Sequence, residues 1–409
     1  MTITACRVCG NTKLANILSL GDQAFSGYFP KPGKPVDIGP LTLVRCDGGC
    51  GLVQLADSFP PRKMYGDDYG YRSGLNNSMV KHLETIVNNL STNTVYAPLE
   101  SGDLVIDIGS NDGTTLGMFP EICRRVGVDP TGEKFKAFYK PGIELIPDFF
   151  TADTVIAVVG EQKAKVITSI AMFYDLESPM DFMKDIARVL HRDGVWAMEQ
   201  SYLPYMMDMN AFDTVCHEHI EYYSLAQITY MASRCGLDVI RAFTNDTNGG
   251  SFGVILAHAG RYTEEGDVRV LRERERAHGL DQQWVYDAFN HRTSAAIIAL
   301  GCFLHQQIQE GKKVYGLGAS TKGNILLHMV SSFLGYTPLL KIGDVNADKF
   351  GCVTPGTNIP IVSEDEALAD NPDFFVVLPW HFRQFFLTSP KFKGRKLIFP
   401  LPMLEVIVP

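Results

Sequence analysis

The sequence lacks the features that mark membrane, exported and nucleic-acid-binding proteins. It contains no apolar run of about 18 residues or more, the length that a membrane-spanning helix requires. Its start, MTITACRVCG, does not show the charged-then-apolar pattern of an export signal. The 46 acidic side chains outnumber the 37 basic ones, which gives a net charge of −9 and no visible basic surface for a nucleic acid. We therefore expect a cytoplasmic protein that binds neither membranes nor nucleic acids.

The chain also lacks internal repeats with periods of about 20–50 residues, so no repeat architecture is expected. Its composition, with 45% hydrophobic and 20% charged residues, is that of an ordinary globular protein. At roughly 100–200 residues per domain, a chain of 409 residues predicts two or three domains, each long enough to bury a core. We expect a monomeric enzyme.

The cysteines are concentrated at one end, since four of the nine lie within the first 50 residues. Without an export signal disulfides are not expected, and two close thiol pairs are typical of a tetrahedral Zn²⁺ site. Four thiolates leave no open coordination position, so this metal would be structural. The alternative is four unrelated free thiols. The predicted ligands are Cys6, Cys9, Cys46 and Cys50, and the prolines between them predict a loop-rich segment at Pro30, Pro32, Pro35 and Pro40.

Beyond the cysteines, short apolar stretches alternate with stretches of helical periodicity. This alternation predicts an α/β fold with parallel, doubly wound sheets, whose ligands bind beyond the carboxyl ends of the strands. We expect a zinc-binding module at 1–80, a first Rossmann-like unit at 81–260 and a second at 261–409. The predicted strands are 103–108, 125–129, 166–170, 194–199, 248–258, 312–317, 340–344, 374–378 and 396–399, and the predicted helices include 78–90, 179–190 and one long helical stretch at 264–310.

The segment DIGSNDG follows the strand at 103–108 and leads into a helix. Its Gly109-x-x-x-Gly113 spacing lacks the G-x-G-x-x-G pattern of a dinucleotide site. It resembles motif I of the Rossmann-like methyltransferases that use S-adenosylmethionine, although a purely structural turn is the alternative. The resemblance implies that Asp129, 22 residues after Asp107, bonds the ribose hydroxyls of that cofactor, as a carboxylate can. The predicted cofactor-binding residues are Asp107, Gly109, Asn111, Asp112, Asp129, Ser169, Met172 and Phe173.

The segment His217-Glu218-His219 allows three interpretations. Histidines two residues apart can bind a metal, but no third ligand is evident nearby. They can also be ordinary polar residues at the start of a helix. In the third interpretation an imidazole takes a proton near neutral pH and the adjacent Glu218 orients it or balances its charge.

A second turn, GASTKGN at 318–324, follows a strand and opens a helix. Backbone N–H groups at a helix N-terminus, together with Lys322, predict an anion site suited to a pyrophosphate. A nicotinamide-nucleotide site is disfavoured because Thr321 occupies the third glycine position of that fingerprint, and a structural turn is the alternative. The predicted substrate-binding residues here are Ser320, Lys322 and Asn324 on the phosphates and Asp344 on the ribose or base.

Taken in order, the cysteine-rich start, DIGSNDGT, EQSY, HEHIEYYS and GASTKGN resemble the sugar C-methyltransferases of deoxysugar pathways. The resemblance covers essentially the whole chain. It implies S-adenosylmethionine and structural Zn²⁺ as cofactors. It also implies a methyl transfer to C-3 of a nucleotide-diphospho-4-keto-6-deoxysugar, linked to dTDP or GDP.

The same resemblance assigns roles at the sugar site. It implies that His219 removes the C-3 proton, with Glu218 and His217 beside it, and that Tyr71 lines the sugar site. Tyr69 and Tyr222 are the further candidates for contact with the substrate. A proton next to a ketone is acidic enough for an imidazole only if donors stabilise the enolate, and a tyrosine hydroxyl could supply one.

Other functions stay open at this level. An O- or N-methyltransferase of a nucleotide sugar would not need to remove a proton from carbon. A non-catalytic nucleotide-sugar-binding protein would not need an intact cofactor loop, and an oxidoreductase built on GLGAS would bind a nicotinamide cofactor. The sequence does not distinguish the two nucleotides.

Overall fold

The N-terminal part of the chain forms an antiparallel sheet. The computed structural model describes residues 1–60, 64, 72–92 and 95–409. The sheet has the order β1-β2-β3-β9, and its last strand comes from much later in the chain. Its strands are β1 (Leu14–Ala24), β2 (Ile38–Cys46), β3 (Val53–Leu55) and β9 (Glu221–Tyr222).

The loop-rich segment expected between the cysteine pairs is confined to the connection at 25–37, and the rest of that interval is mainly the two strands β1 and β2. Leu41 and Leu43 alternate with more exposed residues, and burying that face forms a strand. Pro40 lies near the start of β2, beyond the stretch Leu43–Arg45 that pairs with β3, where a proline is tolerated. The other three prolines lie in the connection at 25–37.

The central sheet has seven strands in the order β10-β11-β8-β7-β4-β5-β6. Neighbouring strands are parallel from β8 to β6, while β11 is antiparallel to both β8 and β10. The doubly wound α/β prediction is confirmed, with one antiparallel strand added. The strands are β4 (Leu104–Ile108), β5 (Arg124–Val128), β6 (Ile143–Ile146), β7 (Ala164–Ile170), β8 (Leu190–Ser201), β10 (Leu237–Asn245) and β11 (Ser251–His258).

Helices cover both faces of this sheet because each carries one apolar side. Ile86 and Val87 of the first helix pack with Val105 and Val166 on one face, whereas Ile186 belongs to the core on the other face. The helices are α1 (Asn77–Ser91), α2 (Gly132–Phe135), α3 (Ala152–Val159), α4 (Pro179–Val189), α5 (Leu203–Asp208), α6 (Leu225–Arg234) and α7 (Gly266–His278).

The C-terminal sheet has the order β14-β13-β12-β15-β16-β17, and it is parallel apart from β17. Its strands are β12 (Val314–Leu317), β13 (Ile342–Asp344), β14 (Ile361–Ser363), β15 (Phe374–Val377), β16 (Leu397–Phe399) and β17 (Glu405–Ile407). The accompanying helices are α8 (Gln283–Gln309), α9 (Thr321–Leu334), α10 (Glu364–Ala369) and α11 (Arg383–Thr388).

The single long helical stretch expected at 264–310 is two helices, α7 and α8. Gly279 ends α7 in the left-handed conformation, with φ of +74°, which glycine adopts without the steric cost that other residues meet. Val268 and Leu271 of α7 belong to the core of the central sheet. The boundaries at residues 80 and 260 stay predictions.

Within the described part of the chain, no helix combines the length and the apolar character needed to cross a membrane.

Candidate active site

The four N-terminal cysteines converge on one point. Their sulfur atoms lie within 4.8 Å of one another, with 3.6 Å between Cys6 and Cys50 and 3.4 Å between Cys9 and Cys46. A tetrahedral zinc ion with Zn–S bonds of about 2.3 Å requires sulfur atoms about 3.8 Å apart. The donor set and its spacing therefore fit a structural Zn²⁺ that these four thiolates would hold.

Polar contacts orient this cysteine cluster and join it to the central unit. The Asn11 side chain donates to the Cys46 sulfur at 3.3 Å and to the Asp47 carbonyl at 2.8 Å. Gln227 of α6 donates to the Cys50 carbonyl at 3.0 Å. The cluster thus fixes the N-terminal sheet against the central unit, as expected of a structural metal site.

The DIGSNDG turn lies where β4 and β5 end. Asp107 is buried, and it accepts a hydrogen bond of 2.5 Å from the Thr168 hydroxyl on β7. Burial raises the pKa of Asp107 to about 7. Gly109, with φ of +73°, donates its N–H to the Val128 carbonyl at 2.9 Å. Asp107 therefore ties the end of β4 to β7. The positive φ of Gly109 lets the backbone change direction directly after β4.

Asp129, predicted to bind the ribose, follows β5 and also holds the turn. Its carboxylate accepts from the N–H of Asn111 at 2.8 Å and from the N–H and hydroxyl of Thr131 at 2.6 Å each. A carboxylate offers about four acceptor positions, so these three donors leave room for one ribose hydroxyl.

The side chains of Asn111 and Asp112 contact the segment before α1. Asn111 accepts the N–H of Ser73 and Asp112 accepts that of Gly74, both at 3.0 Å, and the Arg72 guanidinium lies 3.5 Å from Asp112. These two predicted cofactor residues thus position the segment that begins at Arg72. The candidates Tyr69 and Tyr71 lie outside the described residues.

The three candidates after β7 differ in exposure. Ser169 is buried and accepts from the Trp196 indole at 2.9 Å, and Phe173 is fully buried in the core. Met172 is partly exposed, and its Cγ lies 3.2 Å from the position that a Cβ on Gly109 would take. Met172 is thus the one of the three whose side chain both contacts the turn and keeps exposed surface.

Sequence reasoning missed Tyr139, which supports the same turn. Its hydroxyl lies 2.7 Å from the Ser110 hydroxyl and donates to the Asn111 carbonyl at 3.0 Å. Its ring lies 3.0 Å from the position of a Cβ on Gly113. No motif marks this tyrosine, because its role depends only on where the chain returns in space.

The HEH segment lies between a short 3₁₀ turn, Phe212–Thr214, and β9. The interpretation as a helix start is therefore wrong, because the chain continues into a strand that pairs with the N-terminal sheet. Among the described residues, the four cysteines form the one group arranged to hold a metal ion. The metal interpretation of HEH is not supported there.

His219 is partly exposed and has a fixed orientation. Its Nδ1 lies 3.2 Å from the Thr214 carbonyl. A carbonyl only accepts, so Nδ1 carries the hydrogen and Nε2 presents a lone pair. The ring packs on Tyr174 at 4.3 Å between centroids. Burial, and then the charge of Lys322, lowers the pKa of His219 to about 4.

The other two residues of HEH face the N-terminal module. His217 is buried between Phe25 and Phe59 and donates from Nε2 to the Gly39 carbonyl at 3.1 Å. The Glu218 carboxylate occupies the space that a side chain at position 27 would need, which Gly27 leaves open. Burial raises the pKa of Glu218. These contacts position the segment. The Nδ1 atom of His217 also lacks a hydrogen-bond partner among the described residues, but that ring is buried, whereas the ring of His219 is partly exposed.

Tyr222, predicted to contact the substrate, lies on β9 and is buried. No described residue hydrogen-bonds its hydroxyl. Burial raises the pKa of Tyr222 well above the ordinary value, with further contributions from Cys216, Asp175 and Glu218. Its phenol is therefore a neutral donor beside the HEH segment.

In the C-terminal unit, three of the four predicted nucleotide residues already serve the fold. Ser320 caps α9 by accepting from the Gly323 N–H at 3.0 Å. Asn324 donates to the Ser26 carbonyl at 2.9 Å, and Asp344 accepts from the Ala319 N–H at 2.7 Å. The structure does not gather these side chains with Lys322, whose Nζ donates to the Asn248 carbonyl at 2.7 Å.

Comparison with known proteins defines the class. Residues 80–242 match a model described as a methyltransferase domain, residues 6–65 match a zinc binding domain, and residues 246–402 match a C-methyltransferase C-terminal domain. The protein is therefore an S-adenosylmethionine-dependent methyltransferase with a zinc-binding module.

A full-length relative narrows this class. The chain is 30% identical over 421 residues to the C-methyltransferase NovU of Streptomyces niveus. This alignment covers 99% of this chain and 97% of NovU. The chain belongs to this C-methyltransferase family, and the predicted family is confirmed.

Two solved structures are similar to part of the chain. The mitomycin 7-O-methyltransferase MmcR is 14% identical, with a TM-score of 0.36, over 45% of this chain and 55% of that one. The YcgJ protein from Bacillus subtilis is 17% identical, with a TM-score of 0.31, over 40% of this chain and 73% of that one.

Loss of one zinc ligand is expected to destabilise the N-terminal module. Cys50→Ser should reduce bound zinc from one ion per chain towards none and lower the melting temperature, because metal-binding free energy is then lost from folding. Atomic absorption and calorimetry measure the two effects. Cys302→Ser, at an exposed cysteine, is the control, and equal zinc contents in both variants would contradict the assignment.

A side chain at Gly109 is expected to weaken cofactor binding. Gly109→Ala combines a left-handed backbone with contact to Met172, and roughly 1–2 kcal/mol of strain should lower S-adenosylmethionine affinity about tenfold as the turn relaxes. Gly102→Ala, with φ of +86° and nothing within 4 Å, is the matched control. Calorimetric titration of both variants gives the comparison, and equal affinities would exclude this turn as the cofactor site.

Proposed function

We propose that the protein methylates C-3 of a nucleotide-diphospho-4-keto-6-deoxysugar. His219 would act as the base that removes the C-3 proton. The observation that carries the proposal is the orientation of His219, whose Nδ1–H is held by a backbone carbonyl while Nε2 stays available. A base must be deprotonated and directed by a second group, and His219 meets both conditions.

The cofactor would bind at the turn above β4 and β5. Gly109 would let the backbone pass close to it, Asp129 would accept a ribose hydroxyl, and Met172 would border it. When bound, S-adenosylmethionine supplies the methyl group as an electrophilic sulfonium. The protein's own task is then to hold the sugar with C-3 towards the methyl group and to exclude water from the enolate.

Two groups would support the reaction around His219. Tyr174 packs against the ring and limits its rotation. The buried Tyr222 hydroxyl is a neutral donor beside the same segment. We also propose that Ser320, Asn324 and Asp344 shape the nucleotide end of the site through the turns that they hold. The structural Zn²⁺ takes no part in the chemistry.

The alternatives differ in a measurable property. An O- or N-methyltransferase has no need to break a C–H bond, so it would not exchange the C-3 proton with solvent. A binding protein would take up the sugar nucleotide without turnover. A nicotinamide-dependent oxidoreductase would bind that cofactor instead of S-adenosylmethionine.

The test is turnover in deuterated water. The wild-type protein, S-adenosylmethionine and a panel of dTDP- and GDP-linked 4-keto-6-deoxysugars are combined, and products are examined by mass spectrometry and proton NMR. A methyl group at C-3 is the expected result. A methyl group on oxygen or nitrogen, or no product with any sugar despite cofactor binding, would overturn the proposal.

His219→Asn is expected to abolish both C-3 deuterium exchange and methyl transfer. Removing a general base typically lowers the rate by roughly 10²–10⁴-fold, and the cofactor turn is built from other residues, so S-adenosylmethionine affinity should remain. His305→Asn, at an exposed histidine bonded to Tyr336, is the control. Near-normal turnover of His219→Asn would contradict the base assignment.

The pH dependence follows from the lowered pKa of His219. Because the folded-state value is about 4, the imidazole is neutral above that pH and becomes protonated only below it. The rate of C-3 exchange should therefore persist on acidification and fall as pH passes through about 4. A fall centred near the ordinary histidine value of about 6.5 would show that another base acts.

A further inference from the structure

Lys322 lies where the C-terminal unit meets the turn before the HEH segment. Helix α9, which carries Lys322, packs against Phe212–Thr214, the turn that also supplies the carbonyl for His219. The charge of Lys322 is close enough to lower the pKa of His219 and also that of His381. A residue that belongs to a different unit thus acts on the proposed base.

The Lys322 ammonium has donors to spare. An ammonium carries three N–H groups, and among the described residues Nζ makes one hydrogen bond, to the Asn248 carbonyl. The side chain is only partly exposed, and burial lowers its pKa. A cation held in such a place with unused donors is suited to an anionic group that arrives with the substrate.

Neighbouring residues surround Lys322, and the nearest of opposite charge is Asp213, whose carboxylate favours the charged form of the lysine. Asp213 is fully buried, and one of its carboxylate oxygens accepts from the Trp380 indole at 2.8 Å. A Cβ on Gly249 would lie 3.3 Å from that of His381 and 3.7 Å from Nζ of Lys322. The 3₁₀ turn at 247–249 therefore packs closely against the side chains of His381 and Lys322. A residue larger than glycine at position 249 would crowd them.

The predicted role of Lys322 as a phosphate ligand has weak support in this geometry. In the predicted phosphate site, Ser320 and Asn324 would face the same ligand as Lys322. Ser320 instead caps its own helix, and Asn324 bonds the Ser26 carbonyl. The lysine extends to the Asn248 carbonyl, and its charge acts on His219.

We propose that Lys322 binds the enolate oxygen that forms at C-4 of the sugar when His219 removes the C-3 proton. This inference rests on the proposed function. The C-3–H bond breaks, the proton passes to Nε2 of His219, and the bonding electrons form the C-3–C-4 double bond. The carbonyl electrons move onto the C-4 oxygen, where the Lys322 ammonium stabilises the negative charge. When C-3 takes the methyl group, the carbonyl re-forms and the C–S bonding electrons stay on sulfur.

Such a donor is needed because the base is weak. With a pKa of about 4, His219 removes a proton from carbon only if the enolate is strongly stabilised at the same time. A preorganised cation in a partly dehydrated site can supply that stabilisation. The same positive charge disfavours protonation of His219 before the substrate binds.

The titratable groups that interact with Lys322 come from three segments. Asp213 lies on the turn Phe212–Thr214, and Cys216 and His219 lie between that turn and β9. His381 lies on the turn Trp380–Phe382. Removing the lysine charge should raise the pKa of His219, so the acid limb of the exchange rate should move to higher pH.

The experiment measures C-3 exchange and nucleotide binding separately. It uses the full-length protein, the 4-keto sugar that the wild type turns over, and the corresponding nucleoside diphosphate as a binding probe. Lys322→Met should lower the exchange rate about 100-fold, the usual effect of losing an oxyanion donor. Affinities for S-adenosylmethionine and for the nucleoside diphosphate should not change, and Lys322→Arg should keep part of the rate.

The control is Lys312→Met, which removes a lysine that is 42% exposed in the same unit. Loss of nucleoside diphosphate affinity in Lys322→Met, with exchange unchanged at saturation, would overturn the proposal in favour of a phosphate ligand. A normal C-3 exchange rate in Lys322→Met would also overturn the proposal. So would an exchange rate of that variant that falls at the same acidic pH as in the wild type. If the wild type itself exchanges no C-3 proton with any 4-keto sugar, the proposed function fails instead.

Discussion

The pairing of β9 with β3 is the constraint on which the candidate active site depends. Val53 pairs with Tyr222, Gln54 with Glu221, and the Leu55 N–H donates to the Ile220 carbonyl at 2.8 Å. HEH precedes this strand by one residue, Ile220. A two-residue strand is marginal alone, so it persists because the N-terminal sheet, joined to the central unit by Gln227 and the cysteine cluster, presents an edge to it. The metal module thereby sets the position of a residue with which it shares no chemistry.

This arrangement separates two histidines that are neighbours in the sequence. His217 turns towards the N-terminal module, between two phenylalanine rings, whereas His219 turns towards Tyr174 and the C-terminal unit. Burial lowers the pKa of both rings to about 4. Only the surroundings assign them different roles, because one ring is enclosed by packing and the other keeps a ring nitrogen facing a partly open space.

In the cofactor turn, conserving the shape of the backbone occupies most of the polar side chains. Side chains that motif I marks as cofactor ligands hold other parts of the protein: Asp107 accepts from the Thr168 hydroxyl, Asn111 from the Ser73 N–H and Asp112 from the Gly74 N–H. A turn with positive φ at Gly109, Asn111 and Gly113 is not stable by itself. Each buried acceptor satisfies an N–H or hydroxyl that would otherwise be unpaired. Binding a cofactor at such a turn then requires little further ordering of the chain.

The sequence by itself determined the α/β class, the position of most strands, the cysteine cluster and the family, because periodicity, turn residues and ordered motifs are local signals. It did not predict the long strands around the prolines, the break at Gly279 or the support from Tyr139. The assignment of Lys322 to a phosphate site stays a prediction, and no local signal relates Lys322 to His219, 103 positions earlier. That proximity arises from packing of α9 on the turn at 212–214. Contacts between units depend on the relative position of whole surfaces, which only the tertiary structure decides.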